Sequence, residues 1–340
     1  MHKLIPSRAQ LQIFYASYSE FSLPYDRRTA QFRPMSSEGY IQANTQGRLH
    51  DAREASLSPL DRGFLYGDAV YEVWRTYGGV LFGVEEHWAR LTASAAGLGL
   101  RLPMDLPDLL QEIRRTLAAA KRQTNWQGEW YVRLQVSRGA GPIGLDPELA
   151  GPQAQWVLLV KPLADLTEME LHAGMRVALA SSVRRNDSRT LPPSLKTGNY
   201  LNNVLALREA LSAGAQEVLM VNLAGRLTEG SVRNFWFVEG DTAYTPPLEE
   251  GLLAGVTRRI LFEQVAAASG IPLREAALTP ADLPRFSECF VTSTTQDIVP
   301  VAAIDARNFR LGAETLTLRL KKAFQANVRQ YEQRHPEWRV

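Results

Sequence analysis

Between residues 69 and 98 the hydrophobic period of the chain changes from that of a strand to that of a helix. This restricts the chain to folds that mix the two. Ala69–Tyr77 alternates as a strand, Gly78-Gly79 supplies a hairpin turn, and Leu81-Phe82-Gly83 begins a return strand. Val84–Gly97 then places Trp88, Leu91 and Ala95, with Leu98 just beyond, on one helical face.

The same alternation of element types runs through the rest of the chain. Residues 40–43 and 48–53 read as short strands around the turn Thr45-Gln46-Gly47. A helix is expected over 106–122, entered at Pro107 and Asp108, and strands over 130–137 and 154–160. Residues 162–167 make a candidate linker. Beyond it, strands are expected over 174–181, 217–222, 234–238 and 288–293. Helices are expected over 200–213, closed by Gly214, over 256–269, closed by Gly270, and over 318–330. Strands and helices are mixed in both halves, so the fold class is α/β or α+β with two domains.

Composition narrows the function. The chain has 340 residues, 45% of them hydrophobic and 22% charged, which suits a soluble globular protein large enough for two domains. A net charge of +2, with acidic and basic residues interspersed, gives no electrostatic reason to expect nucleic acid or a membrane as partner. Cys289 is the only cysteine, so no internal disulfide can form, which fits a cytoplasmic location. It stands in the strand-like run Glu288-Cys289-Phe290-Val291 and is expected to be buried and inert. No apolar run approaches the roughly 18–20 residues of a membrane span. Residues 1–37 lack clear periodicity and read as an extension, a misassigned start, or an arm that packs on a partner subunit.

Five separated features make sense together as a site for an aldehyde bearing a phosphate. Lys196, in Ser194-Leu195-Lys196-Thr197-Gly198-Asn199-Tyr200, stands just ahead of a helix, and a lysine amine can form a Schiff base with an aldehyde. In Gly251-Leu252-Leu253-Ala254-Gly255-Val256-Thr257 a glycine-flanked turn opens a helix, whose first N–H groups at Val256 and Thr257 attract an anion. Thr292-Ser293-Thr294-Thr295 ends an apolar strand with hydroxyl groups. Glu229, beside Gly230, could keep a pyridine nitrogen protonated. Arg90 flanks the apolar face of its helix and could grip a phosphate bidentately. Each feature alone is an ordinary turn, cap or surface charge.

Taken in order, with Leu60-Asp61-Arg62-Gly63-Phe64-Leu65-Tyr66-Gly67-Asp68-Ala69-Val70-Tyr71-Glu72, these features closely resemble the class IV, or fold type IV, pyridoxal phosphate enzymes. The likeness runs from about Tyr40 to Asp305. That family includes branched-chain and D-amino-acid aminotransferases, R-selective amine transaminases and aminodeoxychorismate lyases. The resemblance implies a smaller N-terminal α/β domain (38–161), a linker (162–168) and a larger, barrel-like mixed C-terminal domain (169–340) that binds pyridoxal 5'-phosphate. It implies a homodimer in which a neighbouring subunit's loop closes the site. It also implies that Lys196 is the Schiff-base lysine and proton shuttle, that Glu229 partners the ring nitrogen, and that Tyr200 donates to the ring oxygen. Arg90, Val256, Thr257, Ser293 and Thr294 would cup the phosphate. No metal site is expected.

The subgroup rests on the carboxylate anchor. Trp130-Tyr131-Val132-Arg133 is similar to the Tyr-x-Arg strand of branched-chain enzymes, where the tyrosine and two backbone amides, here those of Thr294 and Thr295, hold the α-carboxylate. Tyr131 and Arg133 lie two apart and share a strand face. The D-amino-acid group uses an Arg-x-His trap in the following loop, and Ile143 and Leu145 stand at those positions here. Tyr71-Glu72-Val73 and Ser293-Thr294-Thr295 nevertheless look more like the D-amino-acid group. The lyases carry threonines just after the aromatic at Tyr71, and this chain has Glu72 and Val73. Val73, Trp74 and Ile143 are expected to form an apolar pocket wall. The expected reaction is transamination between an amino acid, branched-chain or otherwise hydrophobic and L, and a 2-oxo acid. D-amino-acid or R-amine transamination, and aminodeoxychorismate cleavage, are the alternatives.

Overall fold

The computed structural model describes residues 39–340, so the expectation for 1–37 lies outside the described residues. From Tyr40 to Val340 the chain forms one compact unit built around two sheets. The first is antiparallel throughout, in the order β2-β1-β6-β5-β3-β4, with β1 Gln42–Thr45, β2 Arg48–Asp51, β3 Ala69–Tyr77, β4 Val80–Leu81, β5 Glu129–Ser137 and β6 Gln155–Leu163. A short helix α1, Arg62–Tyr66, precedes β3. Helices α2, Val84–Gly97, and α3, Leu106–Gln123, bury Leu91, Ile113 and Leu117 in the core that holds Val70, Trp74 and Val132.

No strand of the first sheet extends past Leu163 and none of the second begins before Met175. Pro162 belongs to β6 and not to the connection. The connection also contains a helix absent from the sequence expectation, α4 Glu168–Ala173, started by a Thr167/Glu170 capping box. The second sheet runs β11-β10-β9-β12-β13-β7-β8. Its strands are β7 Met175–Leu179, β8 Glu217–Leu219, β9 Asn234–Glu239, β10 Thr242–Thr245, β11 Leu273–Glu275, β12 Glu288–Ser293 and β13 Asp297–Ile304. β14 Arg307–Asn308 pairs on β13. Parallel pairs (β10/β11, β13/β7, β7/β8) mix with antiparallel ones. The class is therefore mixed α/β, as the alternating periods require.

Helix α5, Leu201–Ser212, begins after Tyr200 and ends in Ala213-Gly214. Residues 256–269 are helical, but in three pieces: α6 Val256–Ile260, a π turn Leu261–Val265, and α7 Ala266–Ser269. The long α8, Leu316–Arg334, closes the chain against β12 and β13. Cys289 is buried in the core of the second sheet, where burial pushes its thiol well up. Among the described residues no helix is long and apolar enough to cross a membrane.

Candidate active site

Lys196 is fixed by backbone pairing, not by the helix that follows it. The Tyr71 N–H donates to the Lys196 carbonyl (3.0 Å), and the Gly198 N–H donates to the Ala69 carbonyl (2.7 Å). The segment thus lies along β3 as a short extra strand. A Cβ at 198 would stand 3.3 Å from the Gly67 carbonyl oxygen, so any larger residue there would crowd the Gly67 backbone by a few tenths of an ångström. The Lys196 N–H donates to the buried Ser94 hydroxyl of α2 (3.0 Å). So held, the Lys196 Nζ donates to the Tyr71 hydroxyl at 3.3 Å.

Tyr71 is buried, and burial, with Tyr200 beside it, pushes its hydroxyl far up, so it stays neutral. Its ring meets that of Tyr200 edge-on at 5.4 Å, and the Arg133 guanidinium lies over it at 3.8 Å. Tyr131 and Arg133 share one face of β5, as the period-2 spacing predicts. Arg133 lies beside Tyr131 on this face and donates to Gln135 (2.7 Å). Burial raises Tyr131, and Arg133 works against that rise.

A cleft of about 720 Å³ collects all eight residues assigned from the sequence to the cofactor. Lys196 comes from the segment paired along β3, Tyr200 from the start of α5, Arg90 from α2, and Glu229 from a turn before β9. Val256 and Thr257 open α6, and Ser293 and Thr294 end β12. Tyr71, Tyr131, Arg133 and Thr295 lie outside this lining, with the first three forming an adjoining row on the first sheet.

Three local features suit an anion at one end of the cleft. Gly255 caps α6 with no side-chain hydrogen bond, leaving the first N–H groups of the helix uncapped. A Cβ at 255 would fall 2.1 Å from the Asn234 Oδ1, so only glycine lets the turn approach this closely. The Ser293 Oγ is buried and has no hydrogen-bond partner. Arg90 departs from expectation. Its bidentate grip is on Glu72, at 2.9 and 2.7 Å, and its Nη1 donates to the Ala254 carbonyl at 3.0 Å. Glu72 is fully buried, and Arg90 together with His87 (3.1 Å) overcomes its desolvation and holds its carboxyl low. Arg90 therefore faces the cleft with only its remaining Nη1 edge.

The Glu229 carboxylate is buried, and burial raises it. Arg185, at 2.8 Å from Oε1, and the Leu253 N–H, at 3.0 Å from Oε2, work against that rise. Asn234 adds a third donor at 3.3 Å. Arg185 was not anticipated from the sequence. It is buried, lines the cleft and donates to Asn202 and Asn203 of α5. The only signal for it is the general one that a buried carboxylate needs a cation. Nothing in Arg184-Arg185 says which of the two would supply it.

Within a single chain Val73, Trp74 and Ile143 do not meet as the expected apolar wall. Trp74 lies on the opposite strand face from Tyr71, in the core of the first sheet, and Ile143 is 77% exposed. Strand alternation dictates this for Trp74: Tyr71 and Val73 share a face that Trp74 cannot share.

Residues 69–304 match the family described as Amino-transferase class IV. A putative branched-chain-amino-acid aminotransferase of Methanocaldococcus jannaschii is 36% identical over 82% of this chain and 93% of its own length. A D-alanine aminotransferase of Bacillus licheniformis is 32% identical over 83% of this chain and 95% of its own. Among solved structures, the branched-chain aminotransferase of the thermophilic archaeon Thermoproteus uzoniensis with norvaline superposes with a TM-score of 0.77 at 30% identity. It covers 88% of this chain and 98% of that one. The chain belongs to the class IV aminotransferases and is a transaminase.

Proposed function

We propose that the cleft holds pyridoxal 5'-phosphate joined through its aldehyde to the Lys196 amine. In this reading the protein transfers an amino group between a hydrophobic amino acid, branched-chain L-amino acids foremost, and a 2-oxo acid. The observation that carries this is the convergence on one cleft of the Lys196 amine, the Glu229 carboxylate, the uncapped start of α6 and the unpartnered Ser293 hydroxyl. When bound, the cofactor supplies an electron sink for charge developing at the substrate α-carbon.

The residues divide the remaining work. The Val256 and Thr257 amides, Ser293, Thr294 and the free edge of Arg90 hold the phosphate. Glu229 keeps a proton on the ring nitrogen, and Arg185 opposes the rise that burial gives Glu229 and holds it in place. Tyr200 donates to the ring oxygen. Lys196 moves the proton at the substrate α-carbon, with the neutral Tyr71 hydroxyl orienting its amine. Tyr131, ordered by Arg133, and the Thr294 and Thr295 amides take the substrate carboxylate.

The D-amino-acid alternative is favoured by the Bacillus licheniformis relative and by Tyr71-Glu72-Val73. Against it stand Ile143 and Leu145, which offer no group for a carboxylate. A lyase is disfavoured because Glu72, where a hydroxyl would be needed, is locked in its pair with Arg90 and His87.

A division into two domains, at the connection between Leu163 and Met175, is supported by the two separate sheets. A homodimer is supported by exposed apolar groups. Arg62 holds the loop carbonyls of Gly144 and Leu145 at 2.8 and 3.0 Å, which fixes the loop that projects Ile143 and Leu145 outward. Leu201 and Val204 project from α5, 69% and 56% exposed. Such groups suit a second copy of the chain.

Borohydride reduction of the holoenzyme, followed by peptide mapping, tests the cofactor reading, and label on any lysine other than Lys196 overturns it. Half-reactions with L- and D-amino acids and R-amines test the substrate. Conversion of D-alanine without L-leucine would replace the L-branched-chain reading. Light scattering tests the dimer.

A further inference from the structure

The turn Thr294-Thr295-Gln296 that joins β12 to β13 is the wall between two cavities. Thr294 lines the cleft described above, while Gln296 and Asp297 line a second cavity of about 880 Å³. The Thr294 and Thr295 N–H groups have no hydrogen-bond partner among the described residues, so they are free to receive an anion. What fixes their direction lies on the other side of the turn.

Arg75 is 1% exposed and comes from β3, the strand that carries Tyr71. Its Nη1 donates to the Thr295 carbonyl at 3.0 Å and lies 3.6 Å from the Asp297 carboxylate. Its Nη2 donates to Asp165, in the connection between the sheets, at 2.6 Å. Its flat face stacks on Tyr77 at 4.0 Å, and the Tyr77 hydroxyl donates to Asp297. Asp297 itself has φ +57°, a left-handed conformation that a non-glycine residue keeps only when its surroundings hold it there. Lys321 of α8 donates to the next carbonyl, Ile298, at 3.0 Å. On the opposite flank Arg233, hydrogen-bonded to the buried Glu217, also bonds Gln296. The turn is therefore clamped at three successive residues while its two amides stay unpaired.

We propose that Arg75 is a positioning residue for the substrate carboxylate. By holding the Thr295 carbonyl and the strained Asp297, it sets the direction of the Thr294 and Thr295 amides at the edge of the cleft, next to the row of Tyr71, Tyr131 and Arg133. The inference rests on the transaminase reading above. A guanidinium is required because one planar group must reach Thr295, Asp297 and Asp165 at once, which a lysine ammonium cannot do.

The test uses the full-length holoenzyme with Arg75→Lys and Asp165→Asn. For Arg75→Lys, KM for both the amino acid and the 2-oxo acid is expected to rise about tenfold, with kcat changed less than about threefold, as misplaced binding groups predict. Absorbance of the lysine-linked cofactor and its rate of release by hydroxylamine, which has no carboxylate, should match wild type. Asp165 is two-thirds exposed, so its substitution removes one tether without burying a lone charge, and a KM increase of about threefold is expected. Should Arg75→Lys fail to fold, Asp165→Asn decides alone. Unchanged KM values, or hydroxylamine release altered by the same factor as KM, overturn the proposal. A wild-type protein that binds the cofactor but converts no amino acid overturns the transaminase reading and this inference with it.

Discussion

The Lys196 Nζ stands 3.3 Å from the Tyr71 hydroxyl, and the backbones of the same two residues are joined by the Tyr71 N–H to Lys196 carbonyl bond of 3.0 Å. Amine and phenol are therefore held in register by main-chain pairing. Lys196→Ala should abolish turnover and covalent cofactor attachment. Tyr71→Phe should keep attachment and lower kcat by about 10-fold or more, since it removes the group that orients the amine. Stopped-flow half-reactions separate the two, and full activity in Lys196→Ala would end the assignment.

Arg185 and Glu229 form a pair in which both side chains are more than nine-tenths buried. Arg185→Ala leaves the carboxylate without its cation and is expected to destabilise the protein by about 3–5 kcal/mol. Glu229→Gln should cost less stability but lower kcat strongly. Urea unfolding alongside steady-state kinetics checks both, and an Arg185→Ala variant of wild-type stability would refute the pairing.

Ser293 offers the opposite pattern. Its hydroxyl is buried without a partner, so Ser293→Ala should leave the apoprotein within about 0.5 kcal/mol of wild type or slightly more stable. Cofactor affinity should fall by about tenfold to a hundredfold, the value of one hydrogen bond to a charged group. Equal losses in apoprotein stability and cofactor affinity would mean that the hydroxyl serves the fold and not the phosphate.

His87 gives the pH dependence. Burial lowers its pKa below the ordinary 6.5, with Glu72 opposing the shift. As pH falls through about 6.5 the unfolded chain takes up a proton that the folded imidazole does not. Stability should therefore fall with decreasing pH, by up to about 1.4 kcal/mol per unit, until the folded pKa is reached. The difference in unfolding free energy between wild type and His87→Gln, followed from pH 8 to 5, isolates this proton. A difference that does not vary with pH would contradict the shift.

Much of the secondary structure was legible because period is a local property. Ala69–Tyr77, Val84–Gly97 and Glu288–Ser293 coincide with β3, α2 and β12. Pro300 obscures β13 in the sequence, because a proline argues against a central strand. The sheet accommodates it because pairing with β7 begins only at Val301. β10 and β11 are too short to show a period. Among the site residues, those in ordered motifs around Lys196, Glu229 and Gly255 could be found, while Arg185 and Arg75 could not. An arginine's partner is set by distant chain segments, and one arginine in a sequence looks like any other.

The sequence by itself determined the mixed α/β class, the family, and which residue types could meet an aldehyde, a pyridine ring and a phosphate, since these follow from local period and motif order. Only the tertiary structure decided how those groups are shared. It turned Trp74 into the core and gave the fork of Arg90 to Glu72. It also brought Arg185 to Glu229 and placed Arg75 behind the turn that carries Thr295. The reason is physical: a buried charge is stable only beside its counterpart, and which charges become neighbours is settled when the two sheets and their connection pack together.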